Sequence, residues 1–156
     1  MVYFIVVSFA EEAAGRVNDF INTNRRLPNY VSCDCFTDVK NTNKQRVKIS
    51  MPTFLYVMTL LLNTPPIEVV NNTNINPPTA PSGTYHSGTI QESEYRDIAD
   101  KIKKFMENNG RAPNYANSTL GQIQYPNLID LFSMIWTQTG KNNNFPPSVK
   151  LLYKPL

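Results

Sequence analysis

Charge is scarce in this 156-residue chain: Asp, Glu, Lys and Arg make up 17%, and 15 basic residues against 12 acidic ones leave a formal net charge of +3. That density falls far short of what grips a phosphate backbone, so nucleic acid is not an expected partner. Cysteine is confined to Cys33 and Cys35, a lone C-x-C. With no second pair there is neither a zinc-ligand set nor a multi-disulfide framework, and no metal or cofactor is expected. Histidine occurs once, as His86, so a Cys-His nucleophile would have to join His86 to one of those two thiols. No apolar run reaches the ~18 residues of a bilayer span; the longest are Val2 to Val7 and, nearly continuous, Phe54 to Leu62. The opening lacks the positive n-region of a secretory leader, although Ser8-Phe9-Ala10 faintly resembles a cleavage site, and a short packed strand or lead-in is expected there. Glycine numbers only 6, against 12 prolines and 19 asparagines, a neutral polar bias that favours turns, caps and wet connections. The 41% of apolar residues is still enough for a core, which excludes a disordered chain.

The sequence repeats itself. Ala14 to Val31 (AGRVNDFINTNRRLPNYV) aligns without gaps on Ala99 to Ala116 (ADKIKKFMENNGRAPNYA) at an offset of 85, with seven of 18 positions identical. Farther on, Met51 to Leu55 (MPTFL) matches Tyr125 to Ile129 (YPNLI) at an offset of 74, so the first copy carries 11 extra residues between its halves. The whole span is therefore the repeating unit.

Each copy reads as two helices joined by an extended turn. Ala10, Ala13, Ala14, Val17, Phe20 and Ile21 recur at helical spacing, as do Tyr95, Ile98, Ala99, Ile102, Phe105 and Met106. Ser8-x-x-Glu11 predicts a capping box for the first helix, and the second opens near Thr89-x-x-Glu92. Asn24 and Asn109 stand where an amide can cap free carbonyls, and Gly110 suits a left-handed position just past the helix end. In the Arg-x-Pro-Asn-Tyr segment that follows, proline forces Leu27 or Ala112 to be extended. Pro52 and Pro126 then fit the first turn of a second helix, with Phe54, Leu55, Met58, Leu61 and Leu62, or Leu128, Ile129, Phe132, Ile135 and Trp136, as core positions.

These patterns predict a mainly α fold: two homologous helix-turn-helix units, residues 8–63 and 89–140, packed into a small helical bundle through Phe54 to Leu62 and Leu128 to Trp136. The insert 32–47 is expected as a surface connection and the Pro/Asn-rich stretch 64–88 as a linker. The tail 141–156 is expected to pack back as a strand or to lead towards a further domain.

A helix ending in N-x-R-x-P-N-Y, followed by a helix of M-P-x-F-L-Y type, resembles the pseudomurein-binding repeat of methanogenic archaea and their viruses. FINTNRRLPNYV with ISMPTFLYVMTLLL, and FMENNGRAPNYA with IQYPNLIDLFSMIW, carry the resemblance over about two thirds of the chain. It implies a non-catalytic module that holds a lytic enzyme or surface protein to pseudomurein, the archaeal wall polymer of aminosugar and uronic-acid glycan cross-linked by short peptides, with a C-terminal catalytic domain as a further partner. The chain would then act at the cell wall. Endoisopeptidases of that kind keep their cysteine-histidine-aspartate peptidase in a separate domain. A protein-interaction or adhesin scaffold is the alternative, and a Cys-His peptidase a weaker one.

The repeated turn supports two readings. As architecture, Pro28 and Pro113 set the bend, Asn29 and Asn114 bond local backbone, and Tyr30 and Tyr115 bury their rings against the second helix. As a ligand site, Arg26 and Arg111 can fork onto a carboxylate, Asn29 and Asn114 can satisfy an amide, and Tyr30 and Tyr115 can stack on a sugar. The arginines have no evident core duty. A DNA-reading helix-turn-helix is disfavoured because Glu92, Glu94, Asp97, Asp100 and Glu107 alternate with Lys101, Lys103 and Lys104, the pattern of a solvated face.

Overall fold

The computed structural model describes residues 2–38, 40, 42–63, 67–71, 74–140 and 144–156. One order of elements, β-α-β-β-α-β, occurs twice. The first unit runs β1 (Val2–Val6), α1 (Val7–Asn24), β2 (Tyr30–Phe36), β3 (Lys44–Ser50), α2 (Met51–Leu62) and β4 (Ile67–Asn71). The second runs β5 (Gly88–Gln91), α3 (Glu92–Asn109), β6 (Tyr115–Ser118), β7 (Gly121–Gln124), α4 (Tyr125–Thr137) and β8 (Ser148–Leu151). In each unit the first strand pairs antiparallel with the last, Val6 opposite Ile67 and Gly88 opposite Leu151, while the middle strands form a hairpin.

The expected mainly α bundle is therefore corrected to an α/β fold. The four helices stand where periodicity placed them, but eight strands in three antiparallel sheets accompany them among the described residues. β1 and β8 fit the strands expected at the opening and in the tail, whereas the other strands occupy stretches read as turn, insert, linker or helix lead-in; 64–66 at the start of that linker and 141–143 at the start of the tail lie outside the described residues. The 11-residue difference between the copies lengthens the first hairpin: β2 and β3 have seven residues each, β6 and β7 four. The longer arm brings Phe36 opposite Phe4, which merges the first unit's strands into one sheet of order β3-β2-β1-β4. In the second unit the hairpin stays separate from β5-β8.

The capping boxes do not form either. α1 begins at Val7 behind Val6, and α3 at Glu92 behind Gln91, neither with a side-chain cap, because the preceding strand runs directly into the helix. Thr89 is spent on β5. The C-terminal expectations hold: Asn24 Nδ2 donates to Phe20 O at 3.1 Å and Asn109 Nδ2 to Phe105 O at 2.8 Å, and Gly110 takes φ 69°. Its counterpart Arg25 adopts the same left-handed turn, φ 57°, without glycine's freedom.

The helices exchange partners between units. α1 packs most heavily on α4, and α3 on α2, while α2 and α4 meet in the middle. Ala10, Ala13 and Ala14 give α1 a fully buried small-residue face, which lets a neighbouring backbone come close. Trp136 Nε1 donates to Met58 O at 3.1 Å, tying α4 to α2. The nearly all-apolar α2 is central, with Phe54, Leu55, Val57, Met58, Leu61 and Leu62 buried. The segment after β4 also belongs to the second unit. Asn76 pairs with Arg111, Ser82 N–H donates to Asn114 O, and Gln122 N–H donates to Thr84 O. Among the described residues no helix is long and apolar enough to cross a membrane.

Candidate functional site

The turn after the first helix of each unit walls a groove. In the first unit the left-handed turn at Arg25 sends the chain back along α1, so that Arg26, Pro28, Asn29 and Tyr30 face Arg16, Val17 and Phe20 across a concavity of about 390 Å³. In the second, Arg111, Pro113, Asn114 and Tyr115 face Lys101, Ile102 and Phe105 across about 420 Å³. At the offset of 85, Val31 and Ser32 of the first lining likewise find Ala116 and Asn117 in the second. The two grooves are the same surface, built twice.

Their polar details match as well. The Arg26 guanidinium rests 4.9 Å from the Phe20 ring centre, and Arg111 5.3 Å from that of Phe105. A ring occupies none of the guanidinium's N–H donors, so each arginine is held in place and can still bind a carboxylate. Arg26 spends Nη1 on Leu27 O at 3.2 Å. On the helix wall, Arg16 pairs with Glu12 at 2.8 Å and Lys101 with Asp97 at 2.8 Å, again counterparts one turn apart. Arg16 also donates to Ser32 O, closing the groove floor between α1 and β2.

Tyr30 and Tyr115 are not core residues. They stay 48% and 39% exposed because each begins a hairpin strand, and the period of two that turns Val31 or Ile123 inward turns the tyrosine outward. The asparagines diverge. Asn114 Oδ1 accepts from Ala80 N–H at 2.8 Å, so it braces the segment laid against the second unit. Asn29 is exposed and makes no side-chain hydrogen bond among the described residues. All six residues expected at the site thus line the two grooves, with Asn114 committed to structure.

Sequence reading overlooked Arg16 and Lys101, and placed Phe20 and Phe105 in the core, where they are only half-buried. The signal available was a cation repeated at the offset of 85 beside the apolar stripe. Asp130, which replaces Tyr56 of the first copy, is fully buried and pairs with Lys154 of the tail at 3.0 Å. Tyr56 instead donates to Glu107 at 2.8 Å, so both residues are structural.

Cys33 and Cys35 are free thiols, buried on the inward face of β2 rather than in a surface loop. Burial pushes the Cys33 thiol up to about 12, with Cys35 beside it adding to the shift. Such a group is protonated at neutral pH and is a poor nucleophile. His86 belongs to the other unit, where its N–H bonds Leu120 O and its ring meets Ser87 O.

A family model for the pseudomurein-binding repeat matches residues 10–32 and 86–117. No curated protein matches the chain. The two matched stretches contain every residue that lines the two grooves, from Arg16 to Ser32 and from Ile98 to Asn117. The chain thus carries two matches to the pseudomurein-binding repeat, consistent with a two-repeat family, and they support a module for binding that cell-wall polymer.

Proposed function

We propose that the chain is a non-catalytic, bivalent wall anchor, which holds a lytic enzyme or surface protein to pseudomurein through its two grooves. Arg26, Asn29 and Tyr30 serve one groove; Arg111 and Tyr115, with Asn114 bracing the turn, serve the other. The observation that carries this reading is the coincidence of both family matches with two grooves of the same lining. Each offers an exposed tyrosine face for a sugar ring and a ring-mounted arginine for a carboxylate. A polymer displays the same epitope many times, so two weak sites on one rigid body gain avidity of ~10² or more without new contacts. A buried, protonated Cys33 and a His86 bonded to Leu120 and Ser87 in the other unit argue against a Cys-His nucleophile among the described residues.

The test is sedimentation with isolated pseudomurein sacculi beside bacterial murein. A charge-assisted hydrogen bond is worth about 1.5–3 kcal/mol, so Arg26→Ala and Arg111→Ala should each weaken their own site tenfold or more. The double variant should scarcely sediment at an unchanged melting temperature. If that folded variant sediments like the parent, the grooves are not the binding sites; release of peptides by the parent chain would overturn the non-catalytic reading.

A further inference from the structure

The grooves differ in what lies beyond their tyrosines. Strand pairing sets Tyr30 opposite Ser50, Ser32 opposite Lys48, Asp34 opposite Arg46 and Phe36 opposite Lys44. All eight share one face of the hairpin, because the alternation that buries Val31, Cys33, Cys35 and Ile49 sends these residues the other way. Tyr30 and Ser32 line the first groove, so the groove opens directly onto a row of three cations. At ~3.4 Å per residue that row spans roughly 14 Å.

Lys48 stands at the junction, its amine 4.6 Å from the Tyr30 ring centre, and forms no ion pair among the described residues. Lys44 and Arg46 share one carboxylate, Asp34, at 3.6 and 3.4 Å. With Arg16 and Arg26 in the groove, five cations on this strip face two carboxylates, Asp34 and Glu12. The second hairpin carries no charge on either strand: its YANS and GQIQ place Gln122 opposite Asn117, where the first places Lys48 opposite Ser32. A charged edge strand also discourages sheet-to-sheet association, but that duty does not require a lysine seated on the groove's aromatic ring.

We propose that the outer face of β2 and β3 is an anion subsite continuing the first groove alone. It takes an extended, carboxylate-bearing glycan of polyuronate type: a sugar ring rests on Tyr30, and successive carboxylates meet Lys48 and then Arg46 and Lys44. The glycan identity rests on the wall-binding reading above, through the exposed Tyr30; the anion preference rests on the cation row. Binding there exchanges the Asp34 pairs for ligand carboxylates, so it weakens with salt.

The probe is immobilised polygalacturonate, compared with its fully methyl-esterified form and with poly-L-glutamate. The parent should be retarded by polygalacturonate, much less by the esterified polymer, and less by poly-L-glutamate. Lys48→Gln should weaken retention about threefold, and the triple change Lys44→Gln, Arg46→Gln, Lys48→Gln at least tenfold, with the melting temperature unchanged; Gln122→Lys should strengthen it. Equal retention of parent and triple variant, or of the acidic and esterified polymers, overturns the subsite. Equal retention by poly-L-glutamate overturns its glycan preference. Sedimentation with sacculi separates the two readings: a parent that binds polygalacturonate but not sacculi keeps the subsite and loses the wall anchor, and a triple variant that binds sacculi like the parent keeps the anchor and loses the subsite.

Discussion

Replacing Lys154 by methionine removes the cation that holds Asp130, and the structure sets what this should cost. The Asp130 side chain is 1% exposed and that of Lys154 14%; the amine meets Oδ1 at 3.0 Å, while Oδ2 has no hydrogen-bond partner among the described residues. Removing one partner of a buried pair leaves a charge without compensation, typically at about 3–5 kcal/mol. Arg25 also lowers the Asp130 pKa, and Lys154 reaches solvent, so the lower figure of about 3 kcal/mol applies. For a chain of this size that is roughly 6–12 °C in melting temperature. The pH dependence gives the expectation its signature. Burial raises the Asp130 pKa despite the opposing amine of Lys154, so the native state holds this proton more tightly than the unfolded chain. The stability owed to this group is therefore full below the ordinary carboxylate range and is lost as pH rises through the raised value. Lys154→Met pushes that value higher still, so its deficit should be largest at pH 7 and shrink towards pH 4. Asp130→Asn added to Lys154→Met should recover more than half of the loss. Thermal denaturation followed by circular dichroism at both pH values measures all three. A deficit below about 0.5 kcal/mol, or one that does not change between pH 7 and pH 4, would refute the reasoning.

Tyr30→Ala and Tyr115→Ala should each leave stability within about 0.5 kcal/mol of the parent, since both rings are exposed, yet weaken sedimentation with sacculi; a large fall in melting temperature would return them to the core. Trp136→Ala should cost about 3–5 kcal/mol by cavity formation and loss of the hydrogen bond to the Met58 carbonyl, as read by urea denaturation. Residues 86–156 expressed alone should be unfolded by circular dichroism and amide dispersion, because α3 loses α2 and α4 loses α1; a cooperative transition from that piece would contradict the exchanged packing.

The helices were legible because each carries a long stripe at a period near 3.6, from Ala10 to Ile21 and from Tyr95 to Met106, too long to arise from a strand. The strands were harder for two different reasons. β2 and β3 do carry a period of two, with Val31, Cys33, Cys35, Val47 and Ile49 turned inward, but polar residues between them gave the insert the composition of a loop. β6 and β7 hold only four residues each, and Ile123 is the one fully buried position between them, so no local pattern marks them; tertiary pairing decides. The turn segment was legible because it repeats, and repetition flagged Arg26, Tyr30, Arg111 and Tyr115 without showing which side chains are free. That depended on strand phase. A tyrosine one residue earlier than Val31 or Ala116 must point away from the core once a hairpin begins at that position, and a helix-turn-helix reading contains no such strand.

The exchanged packing also bears on how two weak sites act as one. The helix wall of the first groove is α1, whose opposite face of Ala10, Ala13 and Ala14 is buried in the core where it packs on α4 of the other unit; the wall of the second groove is α3, backed by α2. Each groove is thus backed by a helix of the other unit. Avidity on a polymer requires that the second site stay at a fixed reach while the first is bound, and loose tethering dilutes that gain. Here the segment between the units is itself fastened to the second groove's turn through Asn76, Ala80 and Ser82, so little freedom remains along it from Asn76 onward. The same helices that bury the core therefore fix the spacing of the sites. A substitution at the α1–α4 contact should accordingly weaken wall retention by more than its effect on either groove alone.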